Sequence, residues 1–231
     1  MFFGRGLIYS FIFSGYSLKH SRPSVKFAER QDLILQTLAE MLECSSRSSI
    51  TITIKALAIR LGISESSIYR CFPNKSHMFE ALIVFIEKTV FGLINHILQE
   101  EHPGINKVEN VLLLLLGFVR KNPGMTRILI GEVLIKENAY LQPRIDQLHD
   151  RLEATLKQAM RFAISEQQIT TPIDVAAQAN VLMCFVIGRW YQFVHSQFQL
   201  DPLANWEKQR LMVLPDELLA RDSTTSDSVS V

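Results

Sequence analysis

Between Arg47 and Lys75 the basic side chains are Arg47, Lys55, Arg60, Arg70 and Lys75, and the one acid is Glu65. Short hydroxyls sit among them, at Thr53, Ser64, Ser66 and Ser67. The chain as a whole is nearly neutral, with 24 Lys+Arg against 23 Asp+Glu over 231 residues. Its positive excess is therefore gathered into one short stretch. Cations neutralise phosphates and hydroxyls hydrogen-bond to them, so this stretch has the chemistry of a nucleic-acid contact. Nowhere does the sequence offer a Ser-His-Asp order, paired carboxylates in a polar context, or a Gly-rich phosphate loop. An enzyme is not expected, and neither a cofactor nor a metal is called for.

The surrounding residues say how such a contact would be held. Residues 51–79 read TITIKALAIRLGISESSIYRCFPNKSHMF. Leu57, Ala58 and Leu61 recur at helical spacing, with Thr53 placed to cap the helix N-terminus. Gly62 stands where a helix end wants a left-handed backbone, which glycine enters without steric cost. Ile63 follows as an apolar plug. Ser64 can cap a second helix, with Glu65 near its positive dipole end and Ile68, Cys71 and Phe72 as its inner face. Pro73 stops it. Two short helices joined by a tight Gly turn make a helix-turn-helix, whose second helix lies in the DNA major groove. Pattern alone also fits a plain two-helix corner, and the local charge favours the DNA-binding reading.

Helical spacing dominates the remaining chain. Helices are expected over residues 25–44, 74–99, 108–120, 142–165, 173–198 and 206–219, with one or two short ones over 126–139 and a sharp turn at Asn122-Pro123-Gly124. No alternating run is long enough for a sheet, so the fold class is all-α. The run VLLLLLGF is apolar nearly all round and reads as a buried central helix. The expected organisation is an extension over 1–24, a DNA-binding unit over 25–73, a larger helical domain over 74–219, and a small polar tail over 220–231 without fixed structure. Residues 1–24 are apolar but broken by Arg5 and three glycines. They are too interrupted for a membrane span of roughly 20 apolar residues and lack a clear signal-peptide cleavage site. A start downstream, at Val25 if its codon is GTG, is the reading we adopt. The three cysteines, Cys44, Cys71 and Cys184, fit no zinc or disulfide spacing and are expected as free thiols in a reducing cytoplasm. His77 is expected near the DNA backbone, and His149 and His195 as structural residues within long helices. The long helix over 175–198 and the final helix are too apolar to face water on all sides, so a homodimer is expected, with two DNA-reading heads.

The stretch ITIKALAIRLGISESSIYRCFPNKSHMFEALI resembles the N-terminal signature of the TetR family: T-x-x-x-L-A-x-x-x-G-[IV]-S-x-x-x-[IL]-Y-x-x-F-x-x-K. Every anchor of that signature is present. The family pattern implies a three-helix DNA-binding head followed by a larger helical dimerisation domain. It also implies Tyr69 and Arg70 as DNA contacts, the first for a phosphate and the second for guanine, beside Thr53, Lys55, Ser64, Ser66, Ser67 and Lys75. Cys71 departs from the usual His or Tyr, and faces inward.

Three further segments, RQDLILQTLAEMLE, LLLLLGFVRKNPGMTRIL and RIDQLHDRLEATLKQAMR, resemble the nucleoid occlusion branch of that family. That resemblance runs from about residue 30 to the last helix. It implies a cytoplasmic, nucleoid-associated homodimer on palindromic double-stranded DNA, without membrane attachment. When DNA-bound, such a dimer captures the C-terminal tail of the division protein FtsZ and blocks its ring assembly. The implied partner contacts are Phe85, Leu114, Gly117, Lys121 and Asn122. Lys121 and Leu93 stand where the related pattern has Arg. The alternative is a TetR-type repressor released from DNA by a small apolar ligand, because a core and a ligand pocket look alike in sequence.

Overall fold

The computed structural model describes residues 23–44, 52–100, 103–134, 139–166 and 173–214, with side chains from Phe27 onward. Expectations that fall on 1–22, on Arg47 and on 215–231 lie outside the described residues. Nine α-helices run through the described chain: α1 (Pro23–Cys44), α2 (Ile54–Leu61), α3 (Glu65–Tyr69), α4 (Lys75–Gln99), α5 (Gly104–Lys121), α6 (Pro123–Leu129), α7 (Gln142–Ser165), α8 (Val175–His195) and α9 (Trp206–Val213). No strand occurs among the described residues, and the fold is all-α as expected.

Local chemistry sets most boundaries. Gly62 closes α2 with φ 65°, and the Ile63 amide donates back to the Ala58 carbonyl at 3.1 Å, so the turn is as tight as the sequence requires. The helix α3 is shorter than expected. Cys71 and Phe72 are buried, but in the turn after α3, where both amides donate to the Ile68 carbonyl at 2.9 Å. Pro73 disfavours a helical conformation at Phe72, so the helix unwinds before reaching it. The expected turn at residues 122–124 is narrower than that: Pro123 and Gly124 already belong to α6, and Asn122 alone bounds both helices. Proline suits a first helical position, where its missing N–H is no loss. The helix α5 begins four residues early. Its Gly104 amide donates to Glu166 at 2.9 Å, and a Cβ on Gly104 would come within 2.8 Å of the Ala163 backbone.

One connected core joins head and body. Ile34, Leu38 and Leu42 of α1 pack with Leu57, Ile68, Phe72 and Phe79, and the same core continues through α4, α5, α7 and α8. The helix α4 is long and apolar enough to cross a bilayer. Its Met78, Phe79, Leu82, Ile83, Ile86, Val90 and Ile94 are instead buried within the protein, each contributing about 1.5–3 kcal/mol for a fully buried large side chain. Central to the body is α5, packed by α4, α6, α7 and α8. The Trp190 indole donates across to the Leu115 carbonyl at 3.2 Å and fixes α8 against it. Contrary to the expectation of all-round burial, Leu113, Leu114 and Gly117 are only half-buried. Neighbouring helices cover α5 on most sides and leave one stripe open.

His149 on α7 is structural, as expected, and lies tilted against Trp190 at 5.9 Å between ring centroids. Its Nε2 is buried with no hydrogen-bond partner among the described residues. Burial lowers its pKa, against the opposing effects of the Leu129 carbonyl, Asp146 and Asp150. The unfolded chain protonates this imidazole near pH 6.5, while the folded chain keeps it neutral to lower pH. Stability is therefore expected to fall as pH drops below about 6.5. Thermal melts at pH 7 and pH 5 should show a smaller drop for His149→Phe than for the wild type; equal drops would contradict this.

Candidate nucleic-acid interface and docking stripe

Three successive helix starts shape the basic unit. The Thr53 hydroxyl accepts from the Ala56 amide at 3.1 Å, Ser64 from Ser67 at 3.3 Å, and Asn74 from His77 at 3.0 Å. Each is an N-cap whose side chain satisfies an otherwise unpaired backbone donor. The Ser64 Oγ lies 2.9 Å from both the Ser66 and Ser67 hydroxyls, and Arg70 Nη2 donates to Ser67 Oγ at 3.2 Å. A hydroxyl that serves as a cap acceptor still has an O–H to donate. Of the expected DNA contacts, Thr53, Lys55, Ser64, Ser66, Tyr69 and Arg70 are exposed, while Ser67 and Lys75 are half-buried. The Lys75 ammonium sits 5.8 Å from the Phe79 ring centroid, its stem packed over the α4 start. His77 is exposed on the same turn, with its ring Nδ1 2.8 Å from Asn74 Oδ1. Arg60 lies 3.5 Å from Glu40 of α1. Sequence spacing alone did not show that pair, which draws part of Arg60's charge into the α1–α2 seam.

The second feature is the open stripe of α5. A helix advances about 100° per residue, so Asn106, Asn110, Leu113, Leu114, Gly117 and Lys121 share one side. None of them is in the core, and a Cβ built on Gly117 meets nothing within 4 Å. On one side lies α4, antiparallel to α5: Lys107 near the α5 start donates to the Leu98 carbonyl near the α4 end, at 2.9 Å. Phe85, half-buried, is carried by this helix. Along the other side runs the C-terminal segment. Arg120 pairs with Asp201 at 3.3 Å, and Arg210 and the Trp206 indole both donate to Glu109, at 3.1 and 3.3 Å.

The structure thus brings Leu114, Gly117 and Lys121 together, with Phe85 on the adjoining helix. Asn122 differs: its side-chain amide donates to the Phe118 carbonyl at 2.7 Å, at the α5–α6 corner. The flank made by residues 201–213 was not legible as part of a site. Its only sequence signal was Trp206 with Arg210 one turn later in a polar stretch. No cluster of three or more metal-ligating side chains occurs among the described residues.

Comparison with known proteins supplies the family. Residues 51–82 match the bacterial regulatory proteins, tetR family, and residues 102–217 match the SlmA-like tetracyclin repressor-like C-terminal domain. The nucleoid occlusion factor SlmA of Marinomonas sp. (strain MWYL1) is 41% identical over 198 residues, covering 86% of this chain and 100% of the relative. The chain belongs to the SlmA family. SlmA of Vibrio cholerae serotype O1 is 42% identical over 183 residues, covering 79% of this chain and 93% of its own length. Among solved structures, a TetR transcription regulator from Haloarcula marismortui superposes with a TM-score of 0.63 at 17% identity, covering 87% of this chain and 96% of that one. Bacillus subtilis FadR in complex with stearoyl-CoA gives the same TM-score at 16% identity, covering 80% and 98%. These likenesses establish the TetR fold. SlmA proteins and TetR regulators are DNA-binding proteins rather than enzymes, and this chain is one of them.

Proposed function

We propose that this protein is a nucleoid occlusion factor. As a homodimer it binds palindromic double-stranded DNA and, in that state, captures the C-terminal tail of FtsZ to hold back division over the chromosome. DNA binding is assigned to residues 25–73 with the start of α4, through Thr53, Lys55, Ser64, Ser66, Ser67, Tyr69, Arg70 and Lys75. Support for a dimer comes from α8, where Ala177, Val181, Cys184, Gly188 and Tyr191 are exposed at spacings of 4, 3, 4 and 3 residues. That is the seam one helix presents to another. The reading places the protein in the cytoplasm, on the nucleoid.

The observation that carries the partner assignment is the uncovered Leu114–Gly117–Lys121 stripe, in a chain of the SlmA family. Apolar side chains with a glycine gap and a flanking cation suit an extended acidic peptide. Lysine contributes a point charge rather than a fork, so loss of Lys121 should weaken the complex without abolishing it. The test is fluorescence anisotropy of a labelled FtsZ tail peptide against the purified dimer, with and without palindromic DNA. Binding is expected to be tighter with DNA, and about tenfold weaker on Lys121→Ala, a loss of about 1.4 kcal/mol. Asn122→Ala is the poorer probe because that amide holds the α5–α6 corner. Sound DNA binding with no peptide binding in either state would overturn the partner assignment and leave the ligand-released repressor.

A further inference from the structure

A chain of hydroxyls at the start of α3 ends in a guanidinium. Arg70 Nη2 donates to Ser67 Oγ at 3.2 Å, Ser67 Oγ lies 2.9 Å from Ser64 Oγ, and Ser64 Oγ lies 2.9 Å from Ser66 Oγ. Chemistry fixes the direction of the protons. Arginine only donates, so Ser67 accepts from it and turns its own O–H to Ser64. The Ser64 oxygen already accepts from the Ser67 amide at 3.3 Å. It takes this second proton on its other lone pair and sends its own O–H to Ser66. The reverse order would leave the proton of half-buried Ser67 with no acceptor among these partners, whereas here the last proton lies on exposed Ser66. The cation at the head polarises each hydroxyl in turn and strengthens the chain.

The same chain decides where the Arg70 side chain lies. Arg70 directly follows the last residue of α3. Among the described residues it makes no ion pair, and its guanidinium bonds to Ser67 alone. Arg60, by contrast, is drawn to Glu40. Bonded one turn back, the Arg70 guanidinium folds over the first turn of α3, the end of a recognition helix that meets base edges. One of its five N–H donors goes to Ser67, and the others keep a fork for the O6 and N7 of a guanine. The TetR signature leaves positions 66, 67 and 70 unspecified, so the serine chain and its arginine belong to this sequence rather than to the signature.

We infer that Ser67 is a positioning residue for sequence reading: backed by Ser64 and Ser66, it holds the Arg70 guanidinium over the first turn of α3 and acts on DNA through that arginine. The inference rests on the DNA-binding assignment above and gives Ser67 a task other than direct contact. A side chain already held loses less freedom on binding, so removing the hold weakens the base contact without removing a charge.

The test uses the full-length dimer and a palindromic duplex that the wild type selects from a randomised pool. Each guanine is replaced in turn, symmetrically in both half-sites, by 7-deazaguanine, which lacks the N7 acceptor. In fluorescence anisotropy, replacing one such guanine is expected to weaken wild-type binding about tenfold, within the range of a good arginine–guanine pair. Arg70→Ala should be insensitive to that replacement. Ser67→Ala is expected to bind the unmodified duplex about fivefold more weakly and to lose only about twofold more on the replacement, because both changes act on one contact. Its salt dependence should match the wild type, since no phosphate-neutralising cation is removed. Ser67→Thr keeps the hydroxyl and should restore both affinity and sensitivity. In the Arg70→Ala background, Ser67→Ala should cost nothing further. Full wild-type sensitivity in Ser67→Ala, or an equal cost of Ser67→Ala in the Arg70→Ala background, sinks the positioning role alone and leaves Ser67 a direct contact or a support for the cap. If Arg70→Ala keeps the sensitivity, or no guanine shows it in the wild type, the Arg70–guanine assignment falls and the positioning role with it.

Discussion

Gly124→Ala is expected to destabilise the protein and loosen its hold on DNA, whereas Gly117→Ala, in the helix just before it, should do neither. A Cβ on Gly124 would lie 1.9 Å from the Ala39 carbonyl oxygen, 2.9 Å from its carbon and 3.0 Å from the Glu43 amide nitrogen. Every one of those atoms is backbone, so no side chain can swing aside; α1 itself must retreat. The helix α1 is the partner against which α6 packs most extensively, and it also carries Ile34, Leu38 and Leu42 into the core beneath the helix-turn-helix. Overpacking at such a site costs about 1–3 kcal/mol and sometimes more. At Gly117 the same added methyl meets open space, and Ala is the better helix former by up to about 1 kcal/mol. Urea unfolding followed by circular dichroism compares the pair, and anisotropy on palindromic DNA reads the head. Equal midpoints for the two variants would show that α1 is not gripped through Gly124.

That contrast also shows where sequence reading reaches its limit. The turn at Gly62 and the caps at Thr53 and Ser64 were legible, because each is a local rule satisfied within four residues. The exposed side chains of that unit followed from them, since a capped helix fixes which residues remain outside. Gly124 looked like a turn residue, because Asn-Pro-Gly is a turn tripeptide when nothing else bears on it. Its actual role is set by α1, more than eighty positions earlier, and only a tertiary contact reveals it. The apolar run of α5 hid its open side for the same reason: composition says that leucines bury, not how many neighbours arrive to cover them. Buried and half-buried leucines alternate there, Leu112 and Leu115 against Leu113 and Leu114, with no change in residue type.

The other face of α6 carries the second large expected effect. Arg127 is 2% exposed, and its Nη1 donates to Glu132 Oε2 at 2.8 Å, while its guanidinium lies 5.1 Å from the Phe198 ring centroid. Phe198 and Gln197 adopt left-handed backbone angles of 64° and 54°, and the Phe198 amide closes the end of α8 by donating to the Phe193 carbonyl at 2.8 Å. Arg127 thus ties α6 to the end of α8, while Gly124, three residues earlier, presses it onto α1. Removing Glu132 takes an acceptor from a guanidinium that stays buried, a change that costs about 3–5 kcal/mol when a buried pair loses one partner. Removing the charge itself is gentler, because a Met at 127 keeps the stem's packing and leaves a half-buried carboxylate that can turn toward water. Glu132→Ala is therefore expected to lower the urea midpoint well below that of Arg127→Met, although both delete the same ion pair. Equal losses would mean that the pair's attraction, not the burial of the remaining charge, sets its contribution. In the order predicted, α6 is a wedge held at two ends, and loosening the α8 end should weaken DNA binding only as far as it frees α1.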